Sequence, residues 1–336
     1  MDINDNEIKK YEIVKEMFQT AGIVRNFDLV SADNFCRNFS EAKKIFFTGE
    51  GSSRIFPSKR AISWALKKGT GLSLFSEGAT QAIEYDLTDF TVLASSNSGK
   101  TKEVALLLSK LGREKHMSVY SVIANGKTIL ERLATGAFVL SCGIEKTVAA
   151  TKSVVEQALV MDVCMRIING SPMPDLTALS EKITEILSLV IDERILEIFA
   201  SSDVIYFSGR NDGVAEELVL KTSEIVRKKS VYLEGTYAVH GIEEVMRKNE
   251  TVVIIEPFEE EEEKFGKCLV EGVGMNVIAV SSRQTSFPTI VIPAMDEFNE
   301  YLQLVAGWNL LLSTALKMNI NPDKPIRARK IGNEYE

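Results

Sequence analysis

Six consecutive residues, Ser96-Asn97-Ser98-Gly99-Lys100-Thr101, bring three hydroxyls and a glycine together between an apolar run and a helical pattern. Such a loop can hold a phosphate without a metal, through backbone N–H groups, the dipole of the following helix and short hydroxyl donors. The same residues could equally cap a helix with nothing bound. The Walker spacing GxxxxGK[ST] is missing, so a nucleoside triphosphate is not the expected ligand. Upstream, Gly49-Glu50-Gly51-Ser52-Ser53-Arg54 also follows an apolar run and precedes a helix. Its glycines permit a tight turn and close backbone approach to an anion, although the third glycine of the GxGxxG dinucleotide fingerprint is absent. Two loops of this kind on successive parts of one sheet edge favour a phosphate site over simple capping.

Other candidates are less specific. In Glu145-Lys146-Thr147-Val148-Ala149-Ala150-Thr151-Lys152-Ser153, polar residues flank two alanines, as backbone approach to a small ligand would need. Alone, that segment decides nothing. Lys221 and Glu224 are spaced i,i+3 on one helix face, which reads as a surface ion pair. Of the two histidines, His116 follows Arg113-Glu114-Lys115 and reads as a solvated loop residue. His240, within Tyr237-Ala238-Val239-His240-Gly241-Ile242, has a semi-apolar setting that suits proton transfer near neutral pH or a structural hydrogen bond. Cys36, Cys142, Cys164 and Cys268 show no CxxC spacing, so reduced thiols are expected rather than disulfides or zinc ligands.

The elements that must position these residues repeat. Residues 45–49 match 205–209, 90–94 match 250–254, and 117–121 match 277–281, each at an offset of 160. A fixed offset through three strand-like segments indicates two copies of one unit. The copies differ after their second matched strand. Where the first has Ser96 to Thr101, the second has Glu256-Pro257-Phe258-Glu259-Glu260-Glu261, whose carboxylates would repel an anion. A phosphate is therefore expected in the first copy only.

Short, unalternating apolar runs predict buried strands at 45–48, 72–75, 91–94, 117–122 and 137–140, then near 204–208, 251–255, 276–280 and 289–292. Helices are expected at 102–111, with Val104, Leu107, Leu108 and Leu111 on one face, and at 150–169, 176–200 and 298–318. Ser31-Ala32-Asp33 is placed to cap a second helix within 5–40. Alternating strands and helices imply an α/β fold of two tandem flavodoxin-like parallel sheets, each with helices on both faces and the pair related by a pseudo-twofold. The expected segments are N-terminal helices (1–43), a first unit with the phosphate loops (44–170), a connecting helix (171–200), a second unit (201–320) and a tail over the active site (321–336).

The 336 residues are 45% hydrophobic and 26% charged, a balance that suits a globular protein of about two domains. The net charge of -8 argues against nucleic acid or an anionic membrane as partner. The polar N-terminus does not read as a signal peptide, and a cytoplasmic location is expected.

Gly51-Ser52-Ser53, Ser96-x-Ser98-Gly99-x-Thr101 and Glu145-x-x-Val148-Ala149-x-Thr151-Lys152 together resemble the three sugar-phosphate loops of the SIS (sugar isomerase) domain. Two such units in tandem resemble the isomerase half of glucosamine-6-phosphate synthase and its stand-alone relatives, the aminosugar-phosphate deaminases, ketose/aldose isomerases and fructosamine-phosphate deglycases. The resemblance runs from about Lys44 onward. It implies substrate contacts from Gly51, Ser52, Ser53, Ser96, Asn97, Ser98, Thr101, Glu145, Val148, Ala150, Lys152 and Lys221. It also implies three catalytic residues. Glu224, sixteen residues before His240, matches a proton-transferring glutamate; His240 matches a ring-opening histidine; Lys330, five residues after Pro325, matches a C-terminal lysine. Ile242 stands where the family's HGP has proline, and Ala150 where a serine is common.

The implied activity is a metal-independent phosphosugar isomerase, or an aminosugar-phosphate isomerase/deaminase, that moves a carbonyl between C1 and C2 of a hexose 6-phosphate. A fructosamine-6-phosphate deglycase and a non-catalytic sugar-phosphate-binding module are the alternatives. The chemistry needs an opened ring, one base over both carbons and a fixed phosphate as the handle. No cofactor and no metal are expected, and the partner is a small sugar phosphate. The resemblance also implies a homodimer or larger homo-oligomer with shared active sites. With no glutaminase domain and no cysteine after Met1, ammonia from glutamine is not expected.

Overall fold

Ten strands form two five-stranded sheets, parallel throughout, in the computed structural model, which describes residues 6–329 and 334–335. One compact unit comprises Gly22–Lys146, Ala150–Leu176 and the chain end from Arg329. The other comprises the residues up to Ala21, Thr147–Ala149 and Thr177–Ala328. The first unit holds β1 (Lys44–Gly49), β2 (Ser73–Gly78), β3 (Thr91–Ser96), β4 (Val119–Ile123) and β5 (Gly136–Val139) in the order β2-β1-β3-β4-β5. The second holds β6 (Val204–Gly209), β7 (Lys229–Glu234), β8 (Thr251–Ile255), β9 (Asn276–Ser281) and β10 (Thr289–Val291) in the matching order β7-β6-β8-β9-β10. This is the flavodoxin-like order, so the expected α/β architecture is the observed one.

The register tests the repeat residue by residue. Ile45 pairs with Thr91 and Ile205 with Thr251, which keeps the offset of 160. Val92 pairs with Val119, whereas Val252 pairs with Val277. The fourth strands are thus related by 158, and the expected match of 117 with 277 is two residues out of step. A slip of two leaves every side chain on its own face, so hydrophobic patterning cannot detect it.

β7 was not anticipated, and its residues show why. It is an edge strand in which exposed Lys229 and Val231 alternate with half-buried Ser230 and Tyr232 and only Leu233 is buried, not a continuous apolar run. The helix Lys102–Arg113 buries Val104, Leu107, Leu108 and Leu111 against Val92, Ala94, Val119 and Ile123, the face expected of it. Each such leucine contributes about 1.5–3 kcal/mol by leaving water. The helix Lys152–Asn169 is buried on all sides through most of its length and ends at Gly170 in the left-handed conformation.

Three expectations need correction. The helix Leu29–Arg37 is capped by Asp28, whose carboxylate accepts from Ser31 N–H at 3.0 Å, not by the Ser31-Ala32-Asp33 segment. Residues 176–200 form two helices, Leu176–Ser188 and Glu193–Ser201, because Asp192 starts a new one by accepting from Arg194 N–H. Cys36 and Cys164 are disulfide-bonded, while Cys142 and Cys268 are free thiols. Packing of Leu29–Arg37 on Lys152–Asn169 brings the two Cα atoms within 4.9 Å across 128 residues of sequence, a proximity that spacing alone cannot reveal.

The start of the second unit is tied to its end. Asp323 accepts from the N–H groups of Glu12, at 2.7 Å, and Ile13, at 3.0 Å, at the beginning of the helix Glu12–Arg25. A carboxylate there satisfies orphan donors and complements the helix dipole. No helix among the described residues is long and apolar enough to cross a membrane.

Candidate active site

β1 pairs with β2 on one side and β3 on the other, so the winding direction reverses between β1 and β3. Ligands of open α/β sheets gather beyond the strand ends at such a switch point. Gly49 ends β1 and Ser96 ends β3, and both hydroxyl-bearing loops leave the sheet there. Gly49 is required locally, since a Cβ would stand 2.8 Å from the Ser95 carbonyl oxygen. Gly51–Ser53 then make a single 3₁₀ turn in which Ser52 is buried and Ser53 Oγ accepts from Gln157 Nε2 at 3.4 Å. Glu50 Oε1 accepts from Ala79 N–H at 2.9 Å. Burial, with a smaller effect from Glu103, holds the Glu50 carboxyl above its usual range.

The second loop is organised by its own hydroxyls. Ser96 Oγ accepts from Gly99 N–H at 3.0 Å and lies 2.7 Å from Thr101 Oγ1, and Ser98 Oγ accepts from Lys100 N–H at 3.1 Å. Gly99 adopts φ +67°, and a Cβ would fall 2.4 Å from Thr128 Oγ1 and 2.9 Å from Thr128 Cβ. Gly99→Ala is therefore expected to cost at least about 2 kcal/mol, read as a lower unfolding midpoint. An unchanged midpoint would mean that the loop is not held against Thr128.

Glu145 is buried, and its carboxylate accepts from Thr151 N–H at 2.7 Å, from Asn97 Nδ2 at 2.9 Å and from Ser153 Oγ. Oε2 ties the third loop to the second through Asn97, while Oε1 organises the third loop itself. Lys152 is buried at the start of the long helix, while Val148 and Ala150 are half-buried.

Lys221, Glu224 and His240 lie in the other unit. The helix Val214–Lys221 continues into a π-helical turn over Thr222–Val226 that carries Glu224. Lys221 Nζ stands 2.8 Å from Glu224 Oε2 and 3.2 Å from Glu217 Oε1. Lys221 and Glu217 are wholly buried, whereas the Glu224 side chain is 17% exposed. The expected surface ion pair is thus a buried triad with one carboxylate reaching solvent. Burial alone would strip the charge from Lys221, but Glu224 and Glu217 outweigh it and hold the ammonium above its ordinary pKa. Its ammonium thus lies between two carboxylates of its own helix.

His240 is exposed, which corrects the semi-apolar setting expected for it. Ala238 and Val239 turn into the core, and the 3₁₀ turn Tyr237–Val239 leaves the next side chain outside. Its Nε2 lies 3.4 Å from Lys264 Nζ. His116 is the opposite case. It is half-buried, with Nδ1 accepting from Ser118 N–H at 3.2 Å and Nε2 2.8 Å from the Leu87 carbonyl, a structural clip. Lys330 lies outside the described residues. The chain end does reach the second hydroxyl loop, since Tyr335 N–H donates to Lys100 O at 2.8 Å and Glu334 makes an antiparallel bridge with Thr101. Glu217 was missed, although its i,i+4 spacing to Lys221 is a signal for that pair. Among the described residues, no group of three or more His, Cys, Asp or Glu side chains could hold a metal ion.

No family model and no curated protein matches the sequence. Solved structures do. The C-terminal domain of glucosamine-fructose-6-phosphate aminotransferase from Francisella tularensis superposes with a TM-score of 0.76 at 20% identity, covering 94% of this chain and 98% of that one. The chain shares that fold. Tagatose-6-phosphate ketose/aldose isomerase from Escherichia coli gives 0.75 at 18% identity, covering 93% and 95%. Glucosamine-6-phosphate deaminase from Thermotoga maritima gives 0.72 at 20% identity, covering 94% and 98%. The shared fold takes in both units.

Proposed function

We propose that the protein is a phosphosugar isomerase of the aldose–ketose type, acting without a metal on a hexose or hexosamine 6-phosphate. The observation that carries this reading is the pair of hydroxyl-bearing loops at the β1/β3 switch point, a phosphate grip built from Ser52, Ser53, Ser96, Ser98 and Thr101. The solved structures that share the fold support it. In this reading Glu224 takes a proton from one of C1 and C2 and returns it to the other through an enediol or enolamine, while Lys221 holds its carboxylate in place. His240 assists ring opening, and Lys330 meets the open-chain sugar. With a 2-amino substrate, the C2 imine left by isomerisation adds one water and releases ammonia. The active species is a homodimer or larger assembly with shared sites. Mixed His240→Ala and Ser98→Ala chains are then expected to recover part of the activity each lacks alone.

A thermal-shift screen of hexose, hexosamine and fructosamine 6-phosphates, followed by turnover of the best binder, tests the reading. Stabilisation by a 6-phosphate with isomerisation or ammonia release supports it. Binding without turnover of any candidate would favour a sugar-phosphate sensor instead, and turnover of only the fructosamine phosphate a deglycase. Ser98→Ala is expected to raise KM more than it lowers kcat, because the phosphate is gripped alike before and during reaction. A fall in kcat at constant KM would place Ser98 in the chemical step.

A further inference from the structure

We propose that the second unit contains an oxyanion receptor filled by the protein's own Glu256 carboxylate. Glu256 follows Ile255 at the end of β8, the counterpart of Ser96 at the end of β3 by the register of the two sheets. Its Oε1 accepts from Ser281 Oγ at 2.9 Å and Ser282 Oγ at 3.0 Å. Its Oε2 accepts from Ser282 N–H at 3.0 Å and Gln303 Nε2 at 3.1 Å. Ser281 is fully buried and Gln303 nearly so. The four donors come from the end of β9, the loop after it and the helix Asn299–Lys317. They converge on the two oxygens as backbone and side-chain dipoles do in anion nests.

The backbone is bent to achieve this. Glu256 has φ +47°, a conformation that a side-chain-bearing residue keeps only where its surroundings impose it. Arg210 Nη1 donates to the Glu256 carbonyl oxygen and fixes the bend. The carboxylate is thereby turned back onto the donors and not out to solvent. A tethered anion competes with free ones at a high effective concentration. The second unit therefore excludes a free anion by occupancy as well as by charge. The ligand class the receptor fits is a small oxyanion, a carboxylate or the paired oxygens of a phosphate monoester. That the first unit alone takes a sugar phosphate rests on the function proposed above; the receptor itself does not.

Chemical rescue tests it. Glu256→Gly removes the tethered anion and suits the left-handed backbone. The variant is expected to unfold several degrees below the parent and to regain about half of that loss in tens of millimolar formate, relative to chloride at equal ionic strength. The parent and Glu256→Gln, in which the receptor stays filled, are expected to show no such shift. Adding Ser282→Ala and Gln303→Leu to Glu256→Gly is expected to abolish the response. If Glu256→Gly does not fold, Glu256→Asn, whose shorter side chain also tolerates positive φ, carries the same comparison. Equal formate responses in parent and variant, or a response that survives loss of the Ser282 and Gln303 donors, would overturn the receptor. Failure of every sugar phosphate to bind the parent would sink the proposed function and leave the formate result standing.

Discussion

Glu224→Gln is expected to lower turnover at least about a hundredfold, the scale of a lost general base, while a sugar phosphate still binds. The amide keeps the side chain's shape, and its oxygen can still accept from Lys221 Nζ, now 2.8 Å from the carboxylate. What disappears is the ability to take a proton from carbon. Lys221 would retain Glu217 at 3.2 Å, so the buried ammonium is not left uncompensated and the fold should survive. Calorimetric binding, the unfolding midpoint and deuterium incorporation from solvent at C1 or C2 separate these effects. Near-parental turnover with normal exchange would remove Glu224 from the mechanism.

Ending the chain after Pro325 is expected to abolish turnover and spare the fold. The anchors of the segment before the cut are retained: Asp323 on the N–H groups of Glu12 and Ile13, and Arg227 Nη2 on the carbonyls of Asn321, at 2.8 Å, and Lys324, at 2.6 Å. What is lost is Lys330, together with Glu334 and Tyr335 on the backbone of Lys100 and Thr101. Circular dichroism and the unfolding midpoint should change little. Full activity in the shortened chain would show that the tail contributes nothing to the chemistry, and a collapsed midpoint would show a structural role.

The parts of the fold legible in the sequence are those governed by local pattern. Strands buried on both faces, such as β3 and β4, announce themselves as apolar runs, and the helix Lys102–Arg113 by its apolar face. β7 escaped because an edge strand alternates and half of it looks like loop. The two-residue slip between β4 and β9 escaped because it conserves the pattern that was being matched. At the candidate site, residue types were legible and partnerships were not. Nothing in the spacing of Glu145 shows that its carboxylate is consumed by Thr151, Asn97 and Ser153. The i,i+3 spacing of Lys221 and Glu224 predicts contact but not burial, because burial is decided by how the helix packs. The acidic segment around Glu256 reads as a source of repulsion. The donors that turn one of its carboxylates inward lie on a neighbouring strand end and on a helix far along the chain.

The clamp of Asp323 on Glu12 and Ile13 has a consequence for biosynthesis. The helix Glu12–Arg25 is synthesised before the carboxylate that caps it, which is separated from Glu12 by 311 residues. At ordinary elongation rates the helix start must wait about 15–60 s for its partner. Until then its N-terminal amides have only water to bind. The clamp on Glu12 and Ile13 can therefore close only once Asp323 has been made.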